Sequence, residues 1–131
     1  MASVSNNSPR LSSFSKAIHR LEEALKEPPT TALIQDACIQ HFEFSFELGW
    51  KAIQEQLRQQ GQNCQSPKSC LREAFKQGWI EDEKAGIELL EDQKMTSHTY
   101  DESLAKAIYA RLPKHLRFLG YLKTQLQRSI D

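Results

Sequence analysis

The chain is 131 residues long, 39% hydrophobic and 26% charged, which suits one domain with a packed core and argues against wholesale disorder. Its 17 Lys+Arg balance 17 Asp+Glu, so overall charge argues for neither a nucleic-acid nor a membrane partner. No apolar run approaches the roughly 18 residues that a membrane helix needs. Five Gly and five Pro are too few for a β-sandwich, which needs a turn about every 8–12 residues.

In chain order, the Ser-rich, acid-free start reads as a disordered tail over residues 1–10, ahead of a single helical domain over 11–131. Its composition faintly suggests a transit peptide, but no apolar stretch follows. Phe14, Ala17, Ile18, Leu21, Ala24 and Leu25 fall at helical spacing and predict a first helix over 11–26, ended by Pro28 and Pro29. Thr30 and Thr31 sit where an N-cap is wanted, and nothing breaks the chain again before Gly61, so a long second helix is expected over 31–60. On a wheel, Cys38, Ile39, Phe42, Phe46, Gly49, Trp50, Ile53 and Leu57 share one face, while Leu33, Ala37, Phe44 and Leu48 form a second stripe. A helix with two apolar faces is either central to a bundle or packs outward against another chain.

Ser66-Pro67 reads as N-cap and first helical residue of a short helix to about Gln77, with Leu71, Ala74 and Phe75 inward and Gly78 ending it. Trp79 and Ile80 make an apolar link, and Asp82 caps a further helix to about Gln93, weakened by Gly86. Thr99 to Glu102 has capping-box spacing, so the last helix is expected from near Tyr100, with Leu104, Ile108 and Leu112 inward. Pro113 should kink or break it, because proline lacks an N–H and clashes one turn back. Leu116, Leu119, Leu126 and Ile130 continue the seam. The sum is an all-α, up-and-down antiparallel helical bundle of four main helices plus short ones.

The three cysteines, Cys38, Cys64 and Cys70, form no C-x-x-C pair and suit a reducing, cytoplasmic compartment rather than a disulfide framework or zinc site. Charge is segregated. Residues 81–92 hold six acids and one base, whereas 103–130 hold Lys106, Arg111, Lys114, Arg117, Lys123 and Arg128, with His115 among them, and no acid. Either this strip faces phosphates, or it pairs with the acidic segment inside the bundle; antiparallel neighbours often complement in charge, which favours the second reading.

His98 stands out among the histidines because it sits at a helix junction, two residues before Tyr100 and three before Asp101. An imidazole there can exchange protons with a bound hydroxyl or phosphate, and the free N–H groups of the next helix make an anion site. The competing reading makes His98 and Tyr100 capping and packing residues. Glu43 and Glu47 lie one turn apart, but no third ligand completes a metal site, and Glu47 can pair with Lys51.

The run Ile39-Gln-His-Phe-Glu-Phe-Ser-Phe-Glu-Leu-Gly-Trp-Lys51, then Leu71-Arg-Glu-Ala74 and Thr96-Ser-His-Thr-Tyr-Asp-Glu102, resembles the nucleotidyltransferase substrate-binding protein family of the HEPN superfamily, over about residues 11–128. The resemblance implies a five-helix bundle, a homodimer, and a minimal nucleotidyltransferase as partner, with Mg²⁺ and ATP serving the partner and no cofactor or metal on this chain. Some relatives form toxin–antitoxin pairs in which the helical member is a metal-independent RNase, silenced when the nucleotidyltransferase adds AMP to its motif tyrosine. Carried over, the catalytic histidine is His98 and the tyrosine, also the nucleotidylation acceptor, is Tyr100. Ser97, Asp101, Glu43, Glu47, Trp50 and Lys51 are the accompanying binding candidates, with RNA a further partner in the RNase reading. The motif arginine falls on Gln93 and the following asparagine on Lys94, and in the RNase reading Gln93 or Lys94 assists His98 and Tyr100. A neutral Gln93 lacks the charge and fork that hold a scissile phosphate, and loss of one such stabilising group costs roughly 10²–10³ in rate.

Overall fold

A computed structural model describes residues 8–28 and 31–130. The expected tail over 1–10 lies outside these residues for positions 1–7, and Pro9 and Arg10 already belong to the first helix. Among the described residues five α-helices follow one another: α1 Pro9–Leu25, α2 Ala32–Gln59, α3 Pro67–Lys76, α4 Glu83–Met95 and α5 Glu102–Ile130, with one turn of 3-10 helix at Thr96–His98. Among the described residues there is no strand. The molecule is the expected antiparallel helical bundle, and among the described residues no helix is long and apolar enough to cross a membrane.

The stops and starts follow local chemistry. Thr31 accepts from the Ile34 amide at 3.3 Å, Ser66 forms a capping box with Ser69 ahead of Pro67, and Asp82 accepts from Ala85 at 3.2 Å, each satisfying a donor the helix cannot. Gly61 and Gly78 take φ values of +77° and +83°. This left-handed turn lets Gln62 and Trp79 donate back to Leu57 and Ala74 and closes α2 and α3.

The core sits between α1, α2 and α5, where Phe14, Leu21, Phe42, Ile53, Ile108 and Leu112 are fully enclosed. The α1–α2 contact is close because Gly49 lacks a side chain: a Cβ there would come within 2.9 Å of the Phe14 ring. The predicted inner face of α2 is buried except for Trp50, which is half-buried.

Several expectations need correction. Phe75 is exposed rather than inward. The cap of α5 is Asp101, whose carboxylate accepts from Leu104 at 3.2 Å, so the helix starts at Glu102 and not near Tyr100. Gly86 does not interrupt α4, and a Cβ there would stand 3.4 Å from the Phe118 ring. Nor does Pro113 break α5, which runs as one helix through it. Pro113 lies on the exposed side, where water can serve the carbonyl that loses its partner. Cys64 and Cys70 are joined in a disulfide with Cα atoms 5.1 Å apart, contrary to the reduced-thiol reading. The Ser66-Pro67 turn folds the chain back so that the first turn of α3 meets the end of the loop, at a separation disulfides span. Cys38 remains a free, buried thiol, pushed up in pKa by burial.

Candidate functional site

The 3-10 turn reverses the chain between α4 and α5, and the Thr96 hydroxyl anchors it by donating to the Gln93 carbonyl at 2.8 Å. Thr96 is buried, whereas Ser97, His98, Tyr100 and Asp101 all face solvent. Asp101 donates its amide to the His98 carbonyl at 3.1 Å while its carboxylate caps α5. His98 and Tyr100 thus stand two residues apart on a hydrogen-bonded corner.

Their functional atoms meet. His98 Nδ1 lies 3.3 Å from Tyr100 Oη, and the rings stand edge to face at 5.9 Å. Tyr100 is 82% exposed, far more than a packing role would leave it. Beside it, a hollow of about 520 Å³ opens between the junction and the first turns of α2, with Gln35, Asp36 and Lys106 among its walls. The α5 N-terminus points its positive end at the same corner.

The remaining candidates divide. Gln93 is half-buried one turn before His98, and Lys94 is exposed on the neighbouring face of α4, lining a separate groove against α3. On α2, Glu47 pairs with Lys51 at 3.1 Å and accepts from Trp50 Nε1 at 3.2 Å; no hydrogen bond or ion pair among the described residues joins Glu43, Glu47, Trp50 or Lys51 to the junction. Among the described residues no three His, Cys, Asp or Glu side chains cluster as a metal site.

One polar group escaped the sequence reading. His115 does not belong to a solvated basic strip: it is 1% exposed, stacked on Phe42 with ring centroids 5.1 Å apart, and its Nε2 lies 2.7 Å from Asp92. Arg111 grips the same carboxylate with two bonds of 2.7 Å, and Lys114 pairs with Glu88. Pairing of the acidic segment with the strip, the reading favoured above, holds for these residues. Burial opposes ionisation of Asp92, but the bonds from Arg111 and His115 outweigh it and hold the carboxyl below its ordinary range. Burial pushes His115 down in turn, against the pull of Asp92. Arg111 supplies a charge that balances the carboxylate, and His115 Nε2 donates to it. The signal was present: Ile108, Leu112, His115, Leu119, Leu122 and Leu126 recur at heptad spacing along the buried seam.

A five-helix bundle presenting a histidine–tyrosine pair on the corner before its last helix defines a class of small helical domains. The chain belongs to the family described as nucleotidyltransferase substrate binding protein like, which it matches over residues 9–128. It is 34% identical over 106 residues, 74% of this chain and 73% of the relative, to a Haemophilus influenzae protein named probable ribonuclease HepT. The crystal structure of a Thermus thermophilus protein superposes with a TM-score of 0.80 at 36% identity, covering 86% of this chain and 98% of that one. A second structure, from Haemophilus influenzae and titled as revealing the fold of a substrate binding domain of a nucleotidyltransferase, gives a TM-score of 0.77 at 30% identity and covers 88% and 98%.

Proposed function

We propose that this protein is the substrate-binding subunit of a two-protein nucleotidyltransferase system and that Tyr100 is its nucleotidyl acceptor. The observation that carries this reading is the exposed Tyr100 hydroxyl 3.3 Å from His98 Nδ1, in a family named for nucleotidyltransferase substrates. In the reaction, Tyr100 Oη attacks the α-phosphorus of a nucleoside triphosphate held by the partner with Mg²⁺. The O–P bond forms as the bond to pyrophosphate breaks, and the phenolic proton passes to His98 Nδ1. A positioned base of this kind contributes roughly 10²–10⁴ in rate. Incubation with a partner minimal nucleotidyltransferase, ATP and Mg²⁺ should add one AMP to the intact mass. Tyr100→Phe should abolish the adduct, and His98→Ala should slow it by at least about 10². Absence of an adduct, with no complex on gel filtration, removes this reading.

The second stripe of α2 supports a homodimer. Leu33 and Phe44 are 76% and 52% exposed in the single chain, and a second copy packed along α2 would cover them. Phe44→Glu should then yield a monomer by light scattering; a wild-type chain that is itself monomeric would refute the dimer.

A second reading, a metal-independent ribonuclease of a toxin–antitoxin pair, is favoured by the 34% identical relative named as a probable ribonuclease. Here His98 moves the 2′-OH proton, and Gln93 stands where a cation would hold the phosphate. RNA cleavage that survives chelator and disappears in His98→Ala is the expected result.

A further inference from the structure

The groove between α3 and α4 belongs to neither reading. It encloses about 200 Å³, too little for most whole ligands but enough for one flat ring. Its floor is Ile80 and Leu90, both buried, and its open walls are Phe75 and Ile87, which are 38% and 57% exposed. Two large apolar side chains left facing water across a cleft mark a contact surface.

Charge is arranged along the groove in a definite order. The link over 77–82 makes α3 and α4 an antiparallel hairpin, so Lys68 and Arg72, one turn apart on α3, flank the C-terminal part of α4, where Lys94 lies. Phe75 flanks its N-terminal turns, where Glu83 stands. All these residues line the cleft. Lys68, Arg72 and Lys94 make no ion pair among the described residues, whereas Lys76 and Lys114 nearby do. The free cations therefore gather at the end of the groove from which α4 runs on into the His98 turn, and the aromatic wall lies at the far end.

An aromatic wall at one end of a cleft and unpaired cations at the other is an arrangement that can seat a stacked base and its phosphates. We propose that this groove holds one unstacked nucleotide of a single-stranded RNA, its base between Phe75 and Ile87 and its phosphates on Lys68, Arg72 and Lys94, so that the strand continues toward His98. Glu83 and Glu91 also line the cleft, and the three unpaired cations outnumber them. The proposal extends the ribonuclease reading, yet binding can be measured apart from cleavage.

The probe is a fluorescein-labelled, single-stranded 2′-O-methyl oligonucleotide of about ten nucleotides, which has no free 2′-OH to attack its own backbone. Its anisotropy is titrated with the full chain. Phe75→Ala should weaken binding about tenfold, as loss of a stacking partner does. Ile87→Glu, on an exposed position that leaves the core intact, should weaken it at least as much by filling the groove with charge. Replacing Lys68 and Arg72 together by Ala should lower the slope of log Kd against log salt by about 1.4, at roughly 0.7 per phosphate contact. Failure of the wild-type chain to bind, or affinities within twofold across the variants, overturns the proposal. So does unchanged RNA binding when Ile87→Glu instead loses the nucleotidyltransferase on gel filtration, since the groove is then a protein-docking face. Groove-dependent binding without cleavage by the wild type removes the ribonuclease reading and leaves this one standing.

Discussion

Two histidines of this protein sit beside an oxygen partner on the same stretch of chain, and their surroundings are opposite. His115 is 1% exposed, held 2.7 Å from an Asp92 carboxylate that Arg111 also grips. His98 faces solvent, 3.3 Å from a phenol that is itself 82% exposed. In the first, the carboxylate is shared between a guanidinium and an imidazole and no buried side-chain polar atom among the described residues lacks a partner, so the group fixes how α4 packs on α5. In the second, one ring nitrogen and one hydroxyl remain open to a third reactant. The same side chain serves structure in one place and is free for chemistry in the other because of what surrounds it.

The contrast can be sharpened by changing the open corner alone. Gln93→Arg restores a cation one turn before His98 without touching the core. Chelator-resistant RNA cleavage should then rise by roughly 10²–10³, the worth of one group stabilising a developing charge, while the variant stays folded. A variant that folds as well and cuts no faster would mean that the corner does not handle RNA.

Changing the sealed group should do the reverse. Asp92→Ala leaves His115 without an acceptor and Arg111 without its carboxylate, and loss of one member of a buried pair costs about 3 kcal/mol. Urea denaturation measures that cost. The rate at which Tyr100 acquires a nucleotidyl group should be unchanged under conditions where the variant is folded. If it falls in parallel, the two regions are one functional unit and the contrast fails.

The scaffold was legible in the sequence because helix periodicity and caps act over a few residues. Thr31, Ser66, Asp82, Gly61 and Gly78 all delimit helices as expected. What failed was set by contacts distant in sequence or by solvent. The Asp92–His115 bond spans 23 positions, and wheel arithmetic that counts a histidine as polar puts it on the surface. The Cys64–Cys70 spacing is compatible with either redox state, and only the turn at Ser66-Pro67 brings the sulfurs together. Pro113 was judged by the bond it lacks, whereas its side of the helix decides whether water replaces that bond. At the candidate site, the spacing of His98 and Tyr100 was readable, but their exposure and mutual approach were not, since both depend on Thr96 and Asp101 fixing the corner.

The smallest effect expected is the dependence of stability on pH, and its sign follows from the sealed pair. Burial lowers the folded pKa of His115 below its ordinary value, so the unfolded chain takes up a proton that the folded chain resists. This contribution is complete above the unfolded value of about 6.5 and declines as pH falls below it, by at most about 1.4 kcal/mol per pH unit. Asp92, also held below its ordinary range, stabilises the fold above about pH 4 and loses that effect only in stronger acid. Between pH 7.5 and 5 the titration of this pair is therefore that of His115 alone. The urea midpoint of the wild-type chain should fall over that interval. His115→Gln keeps a donor for Asp92 and removes the titration, so it should start lower at pH 7.5 and lose less by pH 5. An equal slope in the variant would show that folding leaves the His115 titration unshifted, whereas a wild-type midpoint that rises relative to the variant as pH falls would show that His115 is charged in the folded chain, making the sealed group an ion triad with Asp92 and Arg111.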